Sequence, residues 1–551
     1  MPSAGEIQRN LIQRVNVGDS LTRTAARHPD RPALVEGDRR LTYREFNALV
    51  NQFANGLADR GYQRGDALAL ASGNSVEFLV TYYACAKLGV VCVPVNLGWR
   101  PDEVAYVLGH SKSRGIVIES PLLPALADTI AQAGGVTDVI VASGTEPPGS
   151  GASGSVLPGT GAPGTGAEAA GRSADQESLA FADLCRADDA EPERYVGDRD
   201  PISYLYTSGT TSFPKGVVGN HTSIYLESLS MAVEARFDDT DRFVAMMPMF
   251  HTAQLNCHCT SAVMVGASIY ILRTFDAGTL LELIEREEIT QIFGLPMMYR
   301  AMLDHPGVGT CDLSSLRRAL YAMATMPEAD LRRCLEVFGC DFYLLFGQTE
   351  MSPTTTLFRP EHQLSHAGAV GTPIVNVQVG IMDEAGSLLA QGPEGEIVYR
   401  SPQALSEYLD NAEATDEAFA DGWFHSGDVG RFDADGLLWF TDRRKDVIKT
   451  GGENVASIEV EKALYAACPE VAEAVVVGLP HERWTEAITA IVVPRDGAEL
   501  DPDDVARRIR AHLDPYKVPK AVVVVGELPR TSTGKIQKNV LRDRYAGLYE
   551  S

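Results

Sequence analysis

The spacing of apolar residues along the chain alternates between short runs typical of buried strands and longer runs typical of buried helices. Residues Ala67 to Ala71 form a short apolar run, Val76 to Leu88 form a longer one that ends at Gly89, and Val90 to Val95 form another short one. Runs of these lengths, bounded by turn residues, predict a strand, a helix and a second strand. A βαβ unit of this kind implies a parallel sheet covered by helices.

Similar patterns flank this unit on both sides. Before it, Pro32 to Val35 and Arg40 to Thr42 enclose Glu36-Gly37-Asp38, which predicts a hairpin, and Tyr43 to Arg60 carries a helical period that ends at Gly61. After it, a second βα alternation is predicted in four segments, which are a strand at Arg242 to Met247, a helix at Leu280 to Glu288, a strand at Gln291 to Leu295 and a helix at Pro296 to Leu303.

The remaining patterns predict a β-rich subdomain and a second, smaller domain. Apolar and polar residues alternate at Val375 to Met382 and Gly395 to Arg400, among Gly and Pro turns. Charge clusters at Asp442 to Asp446, and a new pattern follows, with a helix at Ser457 to Ala467, strands at Val471 to Leu479 and Thr489 to Val493, and a helix at Val505 to His512. The predicted fold is therefore α/β. An N-terminal domain over residues 1–441 contains two doubly wound α/β subdomains and the small β-rich one, residues 442–446 form a hinge, and residues 447–551 form a small α+β domain.

Residues 143–176 differ in composition from the segments around them. Gly, Ser, Pro and Ala dominate there, almost without aromatic residues. Such a segment cannot bury enough apolar surface to offset the entropy lost on ordering. We expect a mobile surface insertion after a short strand at Val139 to Val141, and a functional linker between domains is the alternative.

Length and charge limit the classes of function. At 551 residues the chain is too long for one ordinary core, so two or more domains are expected. Its formal net charge of −26 opposes nonspecific binding to nucleic acid or to anionic lipid. Chemistry on small molecules is the better expectation.

Cysteine usage and the N-terminus favour a cytoplasmic protein. The nine cysteines follow no repeated spacing, and their odd number indicates reduced thiols. Met1 to Asn16 lacks the apolar core of a signal peptide, and no apolar run reaches membrane-spanning length. Cys257-His258-Cys259 lacks the second ligand pair that a metal site needs, so buried thiols are the preferred interpretation.

The richest candidate for chemistry is the run from Tyr206 to Gly216, in which hydroxyl residues and glycines precede Lys215 and apolar residues flank both ends. This composition predicts a strand, a loop and a strand. Glycine allows backbone amides to approach an anion, and hydroxyls and a lysine add donors, so the loop suits a polyphosphate. The spacing differs from that of a Walker loop, and an ordinary Ser/Thr/Gly surface loop is the alternative.

Further motifs follow in a fixed order and carry a family resemblance. They are Phe346-Gly347-Gln348-Thr349-Glu350, Gly422-Trp423-Phe424-His425-Ser426-Gly427-Asp428, Asp442-Arg443-Arg444-Lys445-Asp446, Gly451-Gly452-Glu453-Asn454 and Pro529-Arg530-Thr531-Ser532-Thr533-Gly534-Lys535. Together with the run before Gly216, they resemble the adenylate-forming superfamily of acyl-CoA synthetases, luciferases and peptide-synthetase adenylation domains. The resemblance covers nearly the whole chain.

The resemblance implies an enzyme that uses ATP and Mg²⁺. Thr207, Ser208, Gly209, Thr210 and Thr211 would cradle the β- and γ-phosphates with Lys215 nearby. Thr349 would contact the α-phosphate, Glu350 and Thr207 would hold Mg²⁺, Asp428 would accept the ribose hydroxyls and Arg443 would add a ribose or phosphate contact. Ala322, Met323, Phe346, Gly347 and Gln348 would complete the nucleotide site beside the acyl pocket, which Tyr321 is also a candidate to line.

The resemblance also implies that the small domain moves between two half-reactions. Lys535 would bridge the attacking oxyanion and the α-phosphate during adenylation. Rotation about Lys445 would then withdraw Lys535 and bring Gly451 and Gly452 to the site, where backbone without side chains can line a narrow thiol tunnel.

The sequence departs from the family pattern at two positions. Ser212 replaces a glycine of the phosphate loop, and Met323 replaces a glycine beside the adenine and acyl sites. If the Met323 side chain enters the pocket, it obstructs a long acyl chain, whereas if it points away it is a core methionine. His251 matches a family position next to the bound acid, where an imidazole can donate to the oxyanion or gate entry.

The leading hypothesis is an acyl-CoA synthetase-like ligase for a small or aromatic acid, with CoA as the co-substrate. One alternative adenylates nitrite and transfers the nitrosyl group to an aryl amine, and another loads a carrier protein. A nucleotide-binding scaffold without turnover is disfavoured because Lys535, Glu350 and Asp428 are all present. The oligomeric state, monomer or homodimer, is left open.

Overall fold

The computed structural model describes residues 2–144, 178–186, 188–207, 214–324, 326–495, 497–530 and 536–549. Most of the predicted insertion at 143–176 lies outside these ranges. The chain forms two compact units, one of residues 1–378 and 400–417, the other of residues 379–399 and 418–551. The predicted hinge at 442–446 lies within the second unit and remains a prediction.

Helices occur in both units and alternate with strands along much of the chain. In chain order they are α1 (Ala4–Gln13), α2 (Val17–Arg27), α3 (Tyr43–Asp59), α4 (Val76–Leu88), α5 (Pro101–His110), α6 (Leu123–Gln132), α7 (Phe181–Leu184), α8 (His221–Glu234), α9 (Thr260–Val265), α10 (Ala277–Glu287), α11 (Pro296–Asp304), α12 (Glu328–Phe338), α13 (Ala412–Ala418), α14 (Ser457–Ala467), α15 (Pro502–Ile509) and α16 (Lys538–Tyr545). A π-helix at Ala253–Cys259 leads into α9. Within the described ranges, no helix is long and apolar enough to span a bilayer.

The strands, again in chain order, are β1 (Pro32–Glu36), β2 (Arg39–Thr42), β3 (Ala67–Ala71), β4 (Val91–Pro94), β5 (Ser113–Glu119), β6 (Asp138–Ala142), β7 (Ser178–Ala180), β8 (Pro201–Thr207), β9 (Lys215–Asn220), β10 (Arg242–Ala245), β11 (Ser268–Ile271), β12 (Gln291–Gly294), β13 (Arg318–Ala322), β14 (Asp341–Gly347), β15 (Thr354–Phe358), β16 (Thr372–Pro373), β17 (Gln378–Met382), β18 (Gly395–Arg400), β19 (Phe424–Phe432), β20 (Leu438–Arg443), β21 (Ile448–Thr450), β22 (Glu453–Val455), β23 (Val471–His481), β24 (Thr485–Pro494) and β25 (Ala521–Val524).

Two large mixed sheets form the framework of the first unit. One has the strand order β7-β6-β5-β3-β4-β8-β9 and the other the order β16-β15-β14-β13-β12-β10-β11-β1-β2. Their central strands run parallel, and β9 and β15 pair antiparallel with β8 and β14. The strands of the first sheet face a continuous apolar core of Ala, Val and Ile side chains. This architecture confirms the predicted pair of α/β subdomains.

The second unit contains the predicted β-rich sheet and the small domain. A four-stranded sheet has the order β17-β18-β19-β20, and a five-stranded sheet has the order β22-β21-β24-β23 with β25 beside β24. Apolar side chains of α14 and α15 pack on the second of these sheets. The mixed α/β fold with a separate C-terminal part is therefore as predicted.

Most predicted elements are confirmed, and the first βαβ unit matches closely. β3 and α4 have the predicted bounds, β4 is parallel to β3, and the side chain of Ser75 caps α4 by accepting from Phe78 N. Several strands are shorter than predicted, among them β10, which ends at Ala245. The Asn74 side chain binds the carbonyls of Ala245 and Met247, so the chain leaves the sheet there.

Candidate active site

The β8–β9 hairpin carries both ends of the predicted phosphate loop. β8 ends at Thr207, β9 begins at Lys215, and these two residues lie opposite each other in the antiparallel register. Both side chains are half-buried at the tip of the hairpin. The residues predicted to bind phosphate, Ser208, Gly209, Thr210 and Thr211, lie outside the described residues together with Ser212.

The side chain of Tyr408 connects Lys215 to Glu350. Lys215 Nζ lies 5.1 Å from the centroid of the Tyr408 ring, and the Tyr408 hydroxyl donates to Glu350 Oε1 at 3.0 Å. A cation over an aromatic face is attracted by the ring quadrupole, and a hydrogen bond to a carboxylate is charge-assisted. The lysine predicted to bind phosphate and the carboxylate predicted to bind Mg²⁺ therefore converge on one residue.

Sequence reasoning did not identify Tyr408. Backbone pairing fixes its position, since Leu409 N donates to Gly216 O at 2.8 Å and Val218 N donates to Glu407 O at 3.0 Å. The residue is distant from Lys215 in the chain, and its segment shows no strand or helix period. Its one distinguishing feature in the sequence is that it is the only aromatic residue between Tyr399 and Phe419.

A tight loop after β14 positions Thr349 and Glu350. A Cβ atom on Gly347 would lie 1.9 Å from the Pro353 carbonyl oxygen, so only glycine fits where this loop closes. Gln348 N donates to Pro353 O at 3.0 Å, and Leu405 N donates to Glu350 O at 2.7 Å. These bonds hold the loop from both sides.

The same loop offers an unused buried donor. Gln348 Nε2 is buried and has no hydrogen-bond partner among the described residues. Leaving such a donor unpaired is unfavourable. Its position next to Thr349 and Glu350 fits a ligand that supplies an acceptor oxygen there.

His251 follows β10 in a turn that an amide side chain fixes. Asn74 Nδ2 donates to Met247 O at 2.9 Å, and Asn74 Oδ1 accepts from Met249 N at 2.8 Å. His251 N then donates to Pro248 O at 3.1 Å, and the half-buried ring accepts from Ala253 N. The imidazole therefore lies at the carboxyl end of a sheet strand, where ligands of α/β proteins bind.

Met323 follows β13 directly, and its exposure shows whether it belongs to the core. Its side chain is 43% exposed, so the alternative of a core methionine is wrong. Its backbone φ of +69° is in the left-handed region that favours glycine, which explains why a glycine suits this turn. Neighbouring Ala322 is buried and Phe346 on β14 is half-buried, whereas Tyr321 is buried with its hydroxyl donating to Gln363.

Methionines are concentrated at this end of the sheet. Seven of the 13 methionines follow three strands of the same sheet directly, with Met246, Met247 and Met249 after β10, Met297 and Met298 after β12, and Met323 and Met326 after β13. A Cβ on Gly294 would lie 3.2 Å from both Met246 Cε and Met298 Sδ, so these two side chains approach one another across β12. Sequence reasoning singled out only Met323 among them.

In the second unit, β19 and β20 bring the predicted ribose contacts together. Asp428 and Arg443 are partners in the antiparallel register, and Arg443 Nε lies 3.0 Å from Asp428 Oδ1. Asp428 is nearly buried, and its backbone amide is held by Ser426 Oγ. A buried carboxylate of this kind is a suitable acceptor for hydroxyl groups.

The predicted hinge lies at the end of β20. Lys445 is exposed, and its neighbour Asp446 pairs with Arg542 of α16 at 2.8 Å. Asp442 is buried and accepts from Ser457 N at 2.6 Å, at the start of α14. A carboxylate in this position stabilises the N-terminus of a helix, a role that sequence reasoning missed.

Of the remaining predicted residues of the small domain, the structure describes Gly451 and Gly452. Gly451 and Gly452 join β21 to β22 with φ values of +62° and +90°, and Gly451 N donates to Trp484 O at 3.0 Å. Lys535 lies outside the described residues. The residues that bracket its segment, Arg530 and Ile536, pair as an antiparallel bridge.

Cys257, His258 and Cys259 point to different neighbours within the π-helix. The Cys257 thiol lies 3.6 Å from Thr354 Oγ1, the His258 ring stacks on Phe293, and Cys259 accepts from Gln254. Burial lowers the pKa of His258 to about 4 and raises the pKa of Cys259 to about 12. Among the described residues, no group of three metal-binding side chains is found.

Comparison with known proteins relates this arrangement to a family. The model of the AMP-binding enzyme family matches residues 21–409, and the model of the AMP-binding enzyme C-terminal domain matches residues 459–535.

Relatives match over nearly the whole chain. Feruloyl-CoA synthase of an Amycolatopsis species is 34% identical over 97% of this chain and 100% of that protein. Long-chain-fatty-acid–CoA ligase FadD13 of Mycobacterium tuberculosis is 34% identical over 96% of this chain and 99% of that protein. The crystal structure of ATP-bound MatB from Rhodopseudomonas palustris superimposes with a TM-score of 0.84 at 27% identity, over 98% of this chain and 100% of that one. The chain therefore belongs to the AMP-binding enzyme family.

Proposed function

We propose that the protein is an ATP-dependent, AMP-forming acid–CoA ligase. In the first step a carboxylate oxygen attacks the α-phosphorus of ATP, and the bond to pyrophosphate breaks. In the second step the CoA thiol attacks the acyl carbon, the thioester forms and AMP leaves. Family membership and the 34% identity to feruloyl-CoA synthase support this reaction.

One observation within the molecule carries the proposal. Lys215 of β9 and Glu350 of the loop after β14 meet on Tyr408, and Gln348 of the same loop has a buried amide nitrogen with no partner among the described residues. A cation, a carboxylate and an open donor at one strand end suit a polyphosphate with its counterion.

The residues present fit a magnesium ion. Glu350 offers a half-buried carboxylate that Tyr408 links to Lys215, and Mg²⁺ prefers oxygen ligands with phosphate completing its shell. Glu350 and Thr207 would hold the ion, which when bound neutralises charge on the phosphates. Tyr408 keeps the Glu350 carboxylate oriented, and Lys215 adds a fixed positive charge near the hairpin tip.

The second unit supplies the ribose site and the movable lysine of this proposal. Asp428, buried and oriented by Arg443, would accept the ribose hydroxyls. Lys535 would stabilise the negative charge that moves from the carboxylate to the α-phosphate. Lys445 would act as the hinge, and the Gly451–Gly452 turn would line the thiol path.

We propose an aromatic acid as the substrate. The seven methionines at the ends of β10, β12 and β13, of which Met297 and Met323 are exposed, supply polarizable and adaptable side chains, and thioether sulfur makes favourable contacts with aromatic rings. The activity of the feruloyl-CoA synthase relative agrees with this class, whereas the fatty-acid ligase relative represents the competing one. His251 would face the carboxylate end of the acid.

All nine cysteines are free thiols, which supports a cytoplasmic location.

Pyrophosphate release tests the proposal. The full chain is incubated with ATP, Mg²⁺ and one of acetate, benzoate, cinnamate, octanoate or nitrite, with and without CoA, a carrier protein or an aryl amine. We expect benzoate or cinnamate to give pyrophosphate and, with CoA, a thioester. Product formation with nitrite and an aryl amine, or only with a carrier protein, would replace CoA ligation by the respective alternative.

The variant Lys535→Ala tests the two steps separately. We expect a loss of about 10² to 10³ in adenylation and a much smaller effect on thioester formation from pre-made adenylate. Lys517→Ala, at a surface lysine that pairs with Glu459, is the control and should affect neither step. Equal losses in both steps would contradict the proposed role of Lys535.

A further inference from the structure

A buried carboxyl group lies behind the loop that carries Thr349 and Glu350. Glu227 belongs to α8, and its side chain is fully buried. Its Oε1 lies 2.6 Å from Thr354 Oγ1, and its Oε2 lies 3.2 Å from Gln403 Nε2. Within the described part of the chain, no lysine, arginine or histidine forms an ion pair with it. Fully buried glutamates without such a partner are rare.

Gln403 extends this contact to the back of the loop. Its Nε2 also lies 2.7 Å from Met351 O and 2.6 Å from Thr354 O, and its own carbonyl accepts from Ser352 Oγ at 3.0 Å. The side-chain oxygen accepts from Asn376 at 2.8 Å. One glutamine therefore binds the residues that directly follow Glu350.

The Thr354 hydroxyl links Glu227 to Cys257 in either ionisation state of the carboxyl group. The Thr354 hydroxyl has one hydrogen, yet both Glu227 Oε1 at 2.6 Å and Cys257 Sγ at 3.6 Å lie around it. A protonated Glu227 donates to the hydroxyl oxygen, and the hydroxyl then donates to the sulfur. An ionised Glu227 would accept the hydroxyl hydrogen, and the Cys257 thiol would then donate to the hydroxyl oxygen.

The burial of Glu227 favours the neutral form of its carboxyl group. Burial raises the pKa of Glu227 to about 8 and raises the pKa of the facing Cys257 thiol well above its usual value. The two nearby histidines point elsewhere, because the ring of His258 binds Ala253 O and that of His221 accepts from Val17 N. Burial lowers the pKa of both, to about 4 for His258 and about 3 for His221, so neither supplies a compensating cation at neutral pH.

We propose that Glu227 is a positioning residue for adenylation, which as a neutral acid holds Thr354 and Gln403 and through them fixes the Thr349–Glu350 loop. Ionisation of Glu227 places a buried charge without a countercharge inside the first unit, so the surrounding chain must rearrange to solvate it, and the loop that Thr354 and Gln403 hold shifts with it. The inference rests on the proposed function, since it assigns the loop a part in adenylation. The rate of adenylation should therefore fall at alkaline pH because of a group that lies behind the site and does not contact ATP.

The test is the pH dependence of pyrophosphate release for the full chain and the variant Glu227→Gln, which keeps the shape and remains neutral. We expect wild-type adenylation to be about tenfold lower at pH 9 than at pH 7, and Glu227→Gln to keep at least a third of the wild-type rate at pH 7 without the alkaline decline. Because the loop carries Glu350, we also expect the Mg²⁺ concentration for half-maximal rate to rise about tenfold in the wild type at pH 9, with the KM for the acid unchanged. Global unfolding would not separate these two constants.

Glu234→Gln is the matched control on the same helix. Its carboxylate pairs with Arg359 and lies outside the network, so this variant should retain the alkaline decline. A Glu227→Gln profile that declines like the wild type would overturn the inference. An enzyme that releases no pyrophosphate at any pH would instead overturn the proposed function, and the inference with it.

A second pair of variants tests the network if Glu227→Gln does not fold. Thr354→Ser keeps the hydroxyl and Thr354→Val removes it. We expect Thr354→Val to raise the Mg²⁺ requirement at pH 7 severalfold and Thr354→Ser to leave it unchanged. Identical behaviour of the two variants would exclude the role of the hydroxyl link.

Discussion

The carboxyl ends of β13 and β14 are neighbours in one sheet, yet they are built in opposite ways. After β14, Gly347 is enclosed by Pro353, and Glu350 is held through its carbonyl by Leu405 and through its carboxylate by Tyr408. After β13, Met323 has a left-handed backbone and a side chain that is 43% exposed. One strand end is braced on several sides, and the other presents a flexible side chain at a strained turn.

The difference corresponds to what each strand end would bind. ATP and its counterion are the same in every turnover, so the groups that handle them benefit from fixed geometry. The acid differs between members of one family, and a methionine surface can adapt to its shape. A change in the braced end should therefore affect the rate of adenylation with every acid, whereas a change at Met323 should affect the choice among acids.

The largest effect is expected for Glu350→Ala in the braced loop. Removal of this carboxylate should lower the rate of pyrophosphate release by about 10² to 10³ for every acid tested. Glu361→Ala removes an exposed carboxylate of the same unit and serves as the control. A loss confined to some acids would show that Glu350 acts on the acid and not on ATP.

Gly347→Ala should destabilise the loop after β14 through a steric clash. The added Cβ would meet the Pro353 carbonyl at 1.9 Å, so the loop must shift, and we expect a loss of about 3 kcal/mol in the free energy of unfolding. Gly339→Ala provides the comparison, because Gly339 has a φ of +59° with no atom within 4 Å of an added Cβ. Its expected loss is about 1 kcal/mol, for the backbone conformation alone. Urea unfolding of both variants measures the difference, and equal losses would contradict the steric argument.

The buried acid behind the braced loop should make stability depend on pH. The pKa of Glu227 is raised to about 8 in the folded protein from 4.5 in the unfolded chain, so the folded state binds more protons between these values. The free energy of unfolding should fall as pH rises from about 4.5 to about 8, by about 1.4 kcal/mol per pH unit for this one proton, and should then level off. Glu227→Gln removes this dependence, so its urea midpoint should exceed that of the wild type increasingly from pH 5 to pH 8. A constant difference over this range would show that Glu227 is ionised in the folded protein.

Much of this molecule could be predicted from local sequence. β3 and α4 have the predicted bounds because their apolar runs are long and are bounded by polar or glycine residues. The hairpin around the phosphate loop was also predictable, since apolar residues flank a glycine-rich run. Contacts between distant segments were not, and Tyr408 and Glu227 are the clearest cases. Each has its role through partners far away in the chain, and neither interrupts a local pattern.

For Met323, the sequence left two positions open, the acyl pocket and the core, and the structure excludes the core. The family pattern marked the position as unusual, but the choice between core and surface depends on how the turn after β13 is oriented. The backbone of Met323 is left-handed at this turn, and the exposure of the residue excludes a place in the core. Whether it limits the size of the acid is a matter for substrate profiles.

The smallest expected effect is that of Met323→Gly on the choice of acid. Glycine adopts the φ of +69° without strain, so the substitution removes a backbone strain of about 1 kcal/mol from the folded state. This gain in the free energy of unfolding roughly offsets the loss that comes from the greater freedom of glycine in the unfolded chain. Stability should then be nearly unchanged, while the preference for the bulkier cinnamate over acetate, measured by pyrophosphate release, should increase about tenfold. Glu288→Gly relieves a similar left-handed residue at the end of α10, and it should leave the preference as in the wild type. If both variants keep the wild-type profile, Met323 does not border the acid. A wild type that prefers octanoate would contradict the expectation that Met323 obstructs a long acyl chain.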